Sequence, residues 1–96
     1  MPAIAPFRVA VVQHAPVFLD RDATVDKACR LIAEAAREGA KLVAFPEAFI
    51  PAYPDWVWVL PARERKALGS LYAELVANSL TVPGPETARL GMAARR

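Results

Sequence analysis

Two short apolar runs and three amphipathic stretches divide the chain. Arg8 to Gln13 (RVAVVQ) carries Val9, Val11 and Val12 without strict alternation. β-Branched residues on successive positions predict a strand covered on both faces. Leu42, Val43, Ala44 and Phe45 form a second run of the same kind. Pro46 ends it, because proline has no N–H to give a strand ladder. Between the runs, Val25, Cys29, Ile32 and Ala36 recur every three or four residues, with Ala28 and Ala35 beside them. Asp26, Lys27, Arg30, Glu34 and Arg37 fall largely on the other face, which predicts an amphipathic helix. Asp20 and Asp22 are its N-cap candidates, and Gly39 suits the position just past its end. Arg37 suits the negative end of the helix dipole.

Strand, helix and strand make a right-handed βαβ unit with parallel strands. The Gln13–Pro16 loop and the residues after Phe45 then share one edge of the sheet. Further on, Pro61 is placed to open a helix at its first turn. Leu68, Leu71, Tyr72, Leu75 and Val76 give that helix an apolar stripe behind a charged opening turn, Arg63 to Lys66. Thr81 to Pro85 reads as a turn. Pro85 and Glu86 suit the start of a third, short helix with Leu90 and Ala93 or Ala94 facing inward. The pattern breaks off where a third strand is expected.

The candidate chemistry sits just past the second run. Glu47 places a carboxylate beyond the carboxyl end of a buried strand, where open α/β sheets carry their sites. Phe45, Phe49 and Ile50 surround it with apolar surface. Such a setting is expected to raise a carboxyl pKa and to suit a general base or acid. The bland alternative is an exposed loop acid. The following segment, Ile50 to Trp58, argues against it by packing two prolines and three aromatics into nine residues. Surface loops are usually polar, and this one reads as a stiff apolar wall beside the carboxylate.

FPEAFIPAYPDWVW resembles the glutamate motif of the nitrilases, in the nitrilase and cyanide hydratase branch of the carbon–nitrogen hydrolase superfamily. The opening RVAVVQHAPVFLDRDATVDKACRLIAEAAREGAKLVAFPE is similar to that family in order and spacing. The resemblance implies an α/β fold. The chain would be the N-terminal βαβαα portion of a nitrilase-like α-β-β-α sandwich, incomplete here, with residues 1–96 as part of a single carbon–nitrogen hydrolase domain. It implies a Glu, a Lys and a nucleophilic Cys. Glu47 takes the first role, and the other two are expected downstream of this segment. Tyr53, Trp56 and Trp58 are candidates for the pocket entrance or a subunit contact, with core packing as their plainer role. The implied substrate is a small-molecule nitrile, with no cofactor and no metal. The implied assembly is a homodimer or larger homo-oligomer.

Three other residues invite chemistry and are set aside. His14 also follows a strand, but a lone loop histidine has no partner to work with. Cys29 lies on the apolar stripe of the first helix, where a thiol behaves as a small hydrophobe. Lys66 lies in a solvated charge run. A net charge of +2, with the basic residues scattered, gives no footprint for nucleic acid. No apolar run is long enough to cross a bilayer. The single cysteine excludes an internal disulfide and agrees with a reducing compartment. The opening MPAIAP lacks the basic start and apolar core of a signal peptide. Together these give the expectation of a cytoplasmic protein.

Two readings compete with nitrile hydrolysis. One is an amide- or carbamoyl-cleaving enzyme using the same Glu. The other is a non-catalytic α/β module that binds a partner.

Overall fold

A computed structural model describes residues 4–95. Its elements run β1 (Arg8–Val11), α1 (Arg21–Arg37), β2 (Ala40–Ala44), α2 (Trp56–Val59), α3 (Arg65–Ala77) and α4 (Pro85–Arg95). The architecture is mixed α/β, with β1 and β2 paired in parallel. Arg8 stands opposite Ala40, whereas Val9, Ala10 and Val11 stand opposite Leu42, Val43 and Ala44. Lys41 is therefore the extra residue of a bulge. The Val12 N–H bonds to the Ala44 carbonyl at 2.9 Å and carries the ladder one step further.

Helix α1 begins and ends for local reasons. Asp20 is extended, and its Oδ1 accepts from the Ala23 N–H at 3.0 Å, satisfying one of the free donors of the first turn. Asp22 lies inside that turn rather than capping it. At the other end Gly39 takes φ +89°, a left-handed backbone that favours glycine. Arg8 donates from Nη1 to the Glu38 carbonyl at 2.7 Å, so the first strand helps close the helix end.

Thr24, Val25, Ala28 and Ala35 are the buried residues of α1. Cys29 and Ile32 are half-buried and Ala36 is exposed, so the core line lies to one side of the stripe that the spacing suggests. Helix α4 covers the Cys29 side, and the Cys29 thiol lies 3.9 Å from the Arg89 carbonyl oxygen. Asp26 also pairs with the Arg89 guanidinium, and that hydrogen bond raises the arginine pKa further. Arg21 joins the start of α1 to two later elements. Its backbone N–H bonds to Asn78 Oδ1 at 3.1 Å, and its Nε lies 2.8 Å from Glu86 Oε1.

The strands depart from the expectation of two covered faces. Ala10, Val12, Val43 and Phe45 are half-buried, while Val9, Val11 and Leu42 are more than half exposed. This is the period-two alternation of a sheet covered on one face. Helix α1 supplies that cover, and among the described residues no layer lies over the opposite face.

The region after β2 also differs. Trp56–Val59 form a short helix that the proline and aromatic content concealed. Pro61 does not open the next helix. It accepts a turn bond from the Glu64 N–H at 2.9 Å, and α3 starts at Arg65. No residue of α3 is fully buried, and Tyr72 and Val76 are mostly exposed. The radius of gyration is 16.6 Å, where a compact chain of this length has about 12.5 Å.

Candidate active site

Glu47 stands three residues beyond the end of β2, in a turn, and is exposed. The apolar enclosure expected around it is one-sided. Phe49 is buried and stacks at a tilt on Phe45, with ring centroids 5.2 Å apart. The turn is built from unusual backbone. Ala48 adopts φ +54° and Ala52 φ +138°, both in the region that favours glycine. Non-glycine residues held there cost on the order of 1–3 kcal/mol each, and such positions gather at functional sites. Pro51 and Ala52 are buried, which fixes the base of the turn. No ion pair engages the Glu47 carboxylate among the described residues.

The turn faces the loop after β1, as parallel pairing requires. A cavity of about 350 Å³ opens between them. Ala15, Pro16 and Phe18 form one side, and Glu47, Ala52 and Tyr53 line the other. The two sides are tied together. The Leu19 N–H bonds to the Pro51 carbonyl at 3.2 Å, and the Phe18 ring meets Trp56 edge to face at 5.8 Å. The first loop is itself anchored to α1. Thr24 Oγ1, fully buried, accepts from the Val17 N–H at 3.1 Å and donates to the Val17 carbonyl at 2.9 Å. Lys27 Nζ donates to the Ala15 carbonyl at 2.6 Å.

Of the residues singled out in the sequence, Glu47 and Tyr53 share this cavity. Trp56 does not line it. The indole is buried, packs behind Phe18, and borders a separate hollow with Leu60, Leu68 and Tyr72. Trp58 is 78% exposed and lies away from Glu47's cavity. His14, Cys29 and Lys66 lie outside it too. Cys29 borders a different hollow with Ala33, Ala36 and Ala93.

Two lining residues, Phe18 and Asp55, were not singled out. The signal for Phe18 was its place in the loop that shares an edge with Glu47. Asp55 precedes α2, and its side chain makes no capping bond there. Among the described residues no three His, Cys, Asp or Glu side chains gather as a metal would need. None of the described helices is long and apolar enough to cross a membrane.

Sequence comparison gives this geometry a family. The carbon–nitrogen hydrolase profile matches residues 8–96. The chain is 49% identical over 89 residues to an arylacetonitrilase of Aspergillus oryzae, covering 93% of this chain and 25% of that protein. It is 49% identical over 87 residues to a nitrilase of a Bacillus species, covering 91% and 25%. It is 45% identical over 89 residues to an aliphatic nitrilase of Rhodococcus rhodochrous, covering 93% and 23%. The chain thus spans about a quarter of the length of these curated relatives. With a match across nearly its whole length, this chain belongs to the carbon–nitrogen hydrolase family.

Proposed function

We propose that this segment is the N-terminal part of a nitrilase-type hydrolase domain, and that Glu47 is its general base. The observation that carries the reading is the position of Glu47. It lies beyond the carboxyl end of β2, on a largely apolar cavity bordered by the loop after β1. The family membership and the nitrilase names of the relatives support the same reaction class.

A nitrile carbon is a weak electrophile, and addition to it expels nothing. A cysteine thiol, which the family resemblance implies elsewhere in the domain, adds through sulfur to the carbon. Its proton passes by way of the Glu47 carboxylate to the nitrile nitrogen, giving a covalent thioimidate. Water then adds, with Glu47 taking its proton and returning one to nitrogen, and ammonia leaves an acyl thioester. A second water cleaves the thioester and frees the carboxylic acid and the thiol. A lysine cation serves the negative charge that develops during these additions. The sum is one nitrile and two waters giving one acid and one ammonia.

A cytoplasmic homodimer or larger homo-oligomer goes with this reading, and the exposed Val57, Trp58 and Val59 suit a subunit contact. The test is Glu47→Gln in this segment joined to the rest of a hydrolase domain. The amide keeps the shape and loses the base. Ammonia release from nitriles should fall by at least about a hundredfold, with an unchanged circular dichroism spectrum. Near-normal turnover by that variant overturns the assignment.

A further inference from the structure

Phe18 is an aromatic ring that the chemistry above does not use. It is 57% exposed although it sits between two buried anchors, Thr24 and Trp56. A large apolar side chain is normally held in place by being covered. Phe18 is held instead through its backbone and its edge. On its N-terminal side, Val17 is bonded through both its N–H and its carbonyl to the Thr24 hydroxyl. On its C-terminal side, Leu19 is bonded to Pro51 and takes φ +49°. Its ring meets the buried Trp56 at an interplanar angle of 87°. The free part of the ring borders the same cavity as Glu47, Ala52 and Tyr53.

We infer that Phe18 is a specificity-determining residue, the wall that receives a flat apolar substituent on the carbon chain of the nitrile, and that Trp56 is its positioning residue. The inference rests on the reading of Glu47 as the base, and it adds the substrate class. The apolar part of the cavity wall includes Ala15, Pro16, Phe18, Phe49 and Ala52, with Tyr53 and the Asp55 carboxylate beside them. An aryl group reaching the site meets an aromatic ring already fixed in orientation, so little side-chain freedom is lost on binding. Aromatic pairs prefer offset or edge-to-face contact with centroids about 4.5–7 Å apart. Phe18 already uses one edge on Trp56, which leaves its remaining surface for a second ring. A short aliphatic nitrile has no ring to offer and gains only burial.

The experiment compares phenylacetonitrile with butyronitrile in this segment joined to the rest of a hydrolase domain. Phe18→Ala should lower kcat/KM for phenylacetonitrile about two- to tenfold more than for butyronitrile. The change should fall mainly on KM, because the ring binds ground and transition states alike. Phe18→Tyr should restore the preference. Phe18→Leu keeps apolar bulk for folding and should shift the preference in the same direction as alanine. Trp56→Leu, which removes the ring that holds Phe18 edge to face, should lower the same ratio. Equal losses on both substrates in the alanine and leucine variants, or none, overturn the inference and leave the Glu47 reading standing. Failure of the unsubstituted domain to hydrolyse any nitrile overturns both.

Discussion

Replacing Thr24 by valine tests whether the loop bordering Glu47's cavity is held by the hydroxyl described above. Valine nearly matches threonine in shape, so it leaves no cavity, and a methyl that can neither donate nor accept takes the place of the hydroxyl. Two bonds disappear, but they do not count equally. The Val17 carbonyl keeps a second donor, the Asp20 N–H at 3.1 Å. The Val17 N–H has no other partner among the described residues and becomes an unmade donor. Such a group costs about 1–3 kcal/mol when fully buried. Val17 is 37% exposed, so water reaches part of it, and the lower half of that range applies, about 1–2 kcal/mol. Thr24→Ser supplies the contrast. It keeps both bonds and loses one buried methyl, a comparable cost of about 1 kcal/mol. Equilibrium denaturation of a complete hydrolase domain carrying this segment should therefore show similar losses for both variants. Amide hydrogen exchange should tell them apart. The Val17 N–H should remain protected in Thr24→Ser and exchange much faster in Thr24→Val. Equal protection of Val17 in both would show that the threonine hydroxyl does not hold the loop.

Two further outcomes follow from the same geometry. Cys29→Ala in such a domain should keep nitrile hydrolysis and lose about 1 kcal/mol of stability at most, since the thiol is half-buried between α1 and α4; a folded but inactive Cys29→Ala domain would move the nucleophile here. Residues 1–96 expressed alone should bind hydrophobic dyes, release no ammonia from nitriles, and melt without a cooperative transition, because among the described residues one sheet face and both strand edges are open and α3 buries no residue fully; a sharp two-state transition from a soluble monomer would refute this and favour a self-sufficient binding module.

Much of the first half was legible from local chemistry. The Asp20 cap, the Gly39 exit and the proline after β2 each act within a few residues, so spacing reveals them. The parallel pairing followed from the βαβ order and placed the loop after β1 beside Glu47. What spacing could not reveal depends on partners. Val9, Val11 and Leu42 have the composition of a strand covered on both faces, but cover is a property of neighbours, and the neighbours here lie on one side. The buried line of α1 lies toward Thr24 because a threonine counts as polar until its hydroxyl finds both backbone groups of one residue, Val17. Pro61 fits the first turn of a helix and a tight turn equally well, and only the bond from the Glu64 N–H decides for the turn. Trp56 and Trp58 are alike in sequence, and only the fold separates one packed behind Phe18 from one in solvent. Phe18 carries no local signal, because its significance lies in a contact 38 positions away.

The edge-to-face pair of Phe18 and Trp56 has an evolutionary consequence. One ring comes from the loop after β1 and the other from the start of α2, and they share one contact, so neither can change size without leaving a gap or a clash beside the cavity. Substitutions at the two positions among homologous chains should therefore be correlated. A smaller residue at one should be accompanied by a bulkier one at the other, while Tyr53, on the opposite wall, should vary independently of both. The history of this pair would then record which lineages exchanged flat substituents for narrow ones.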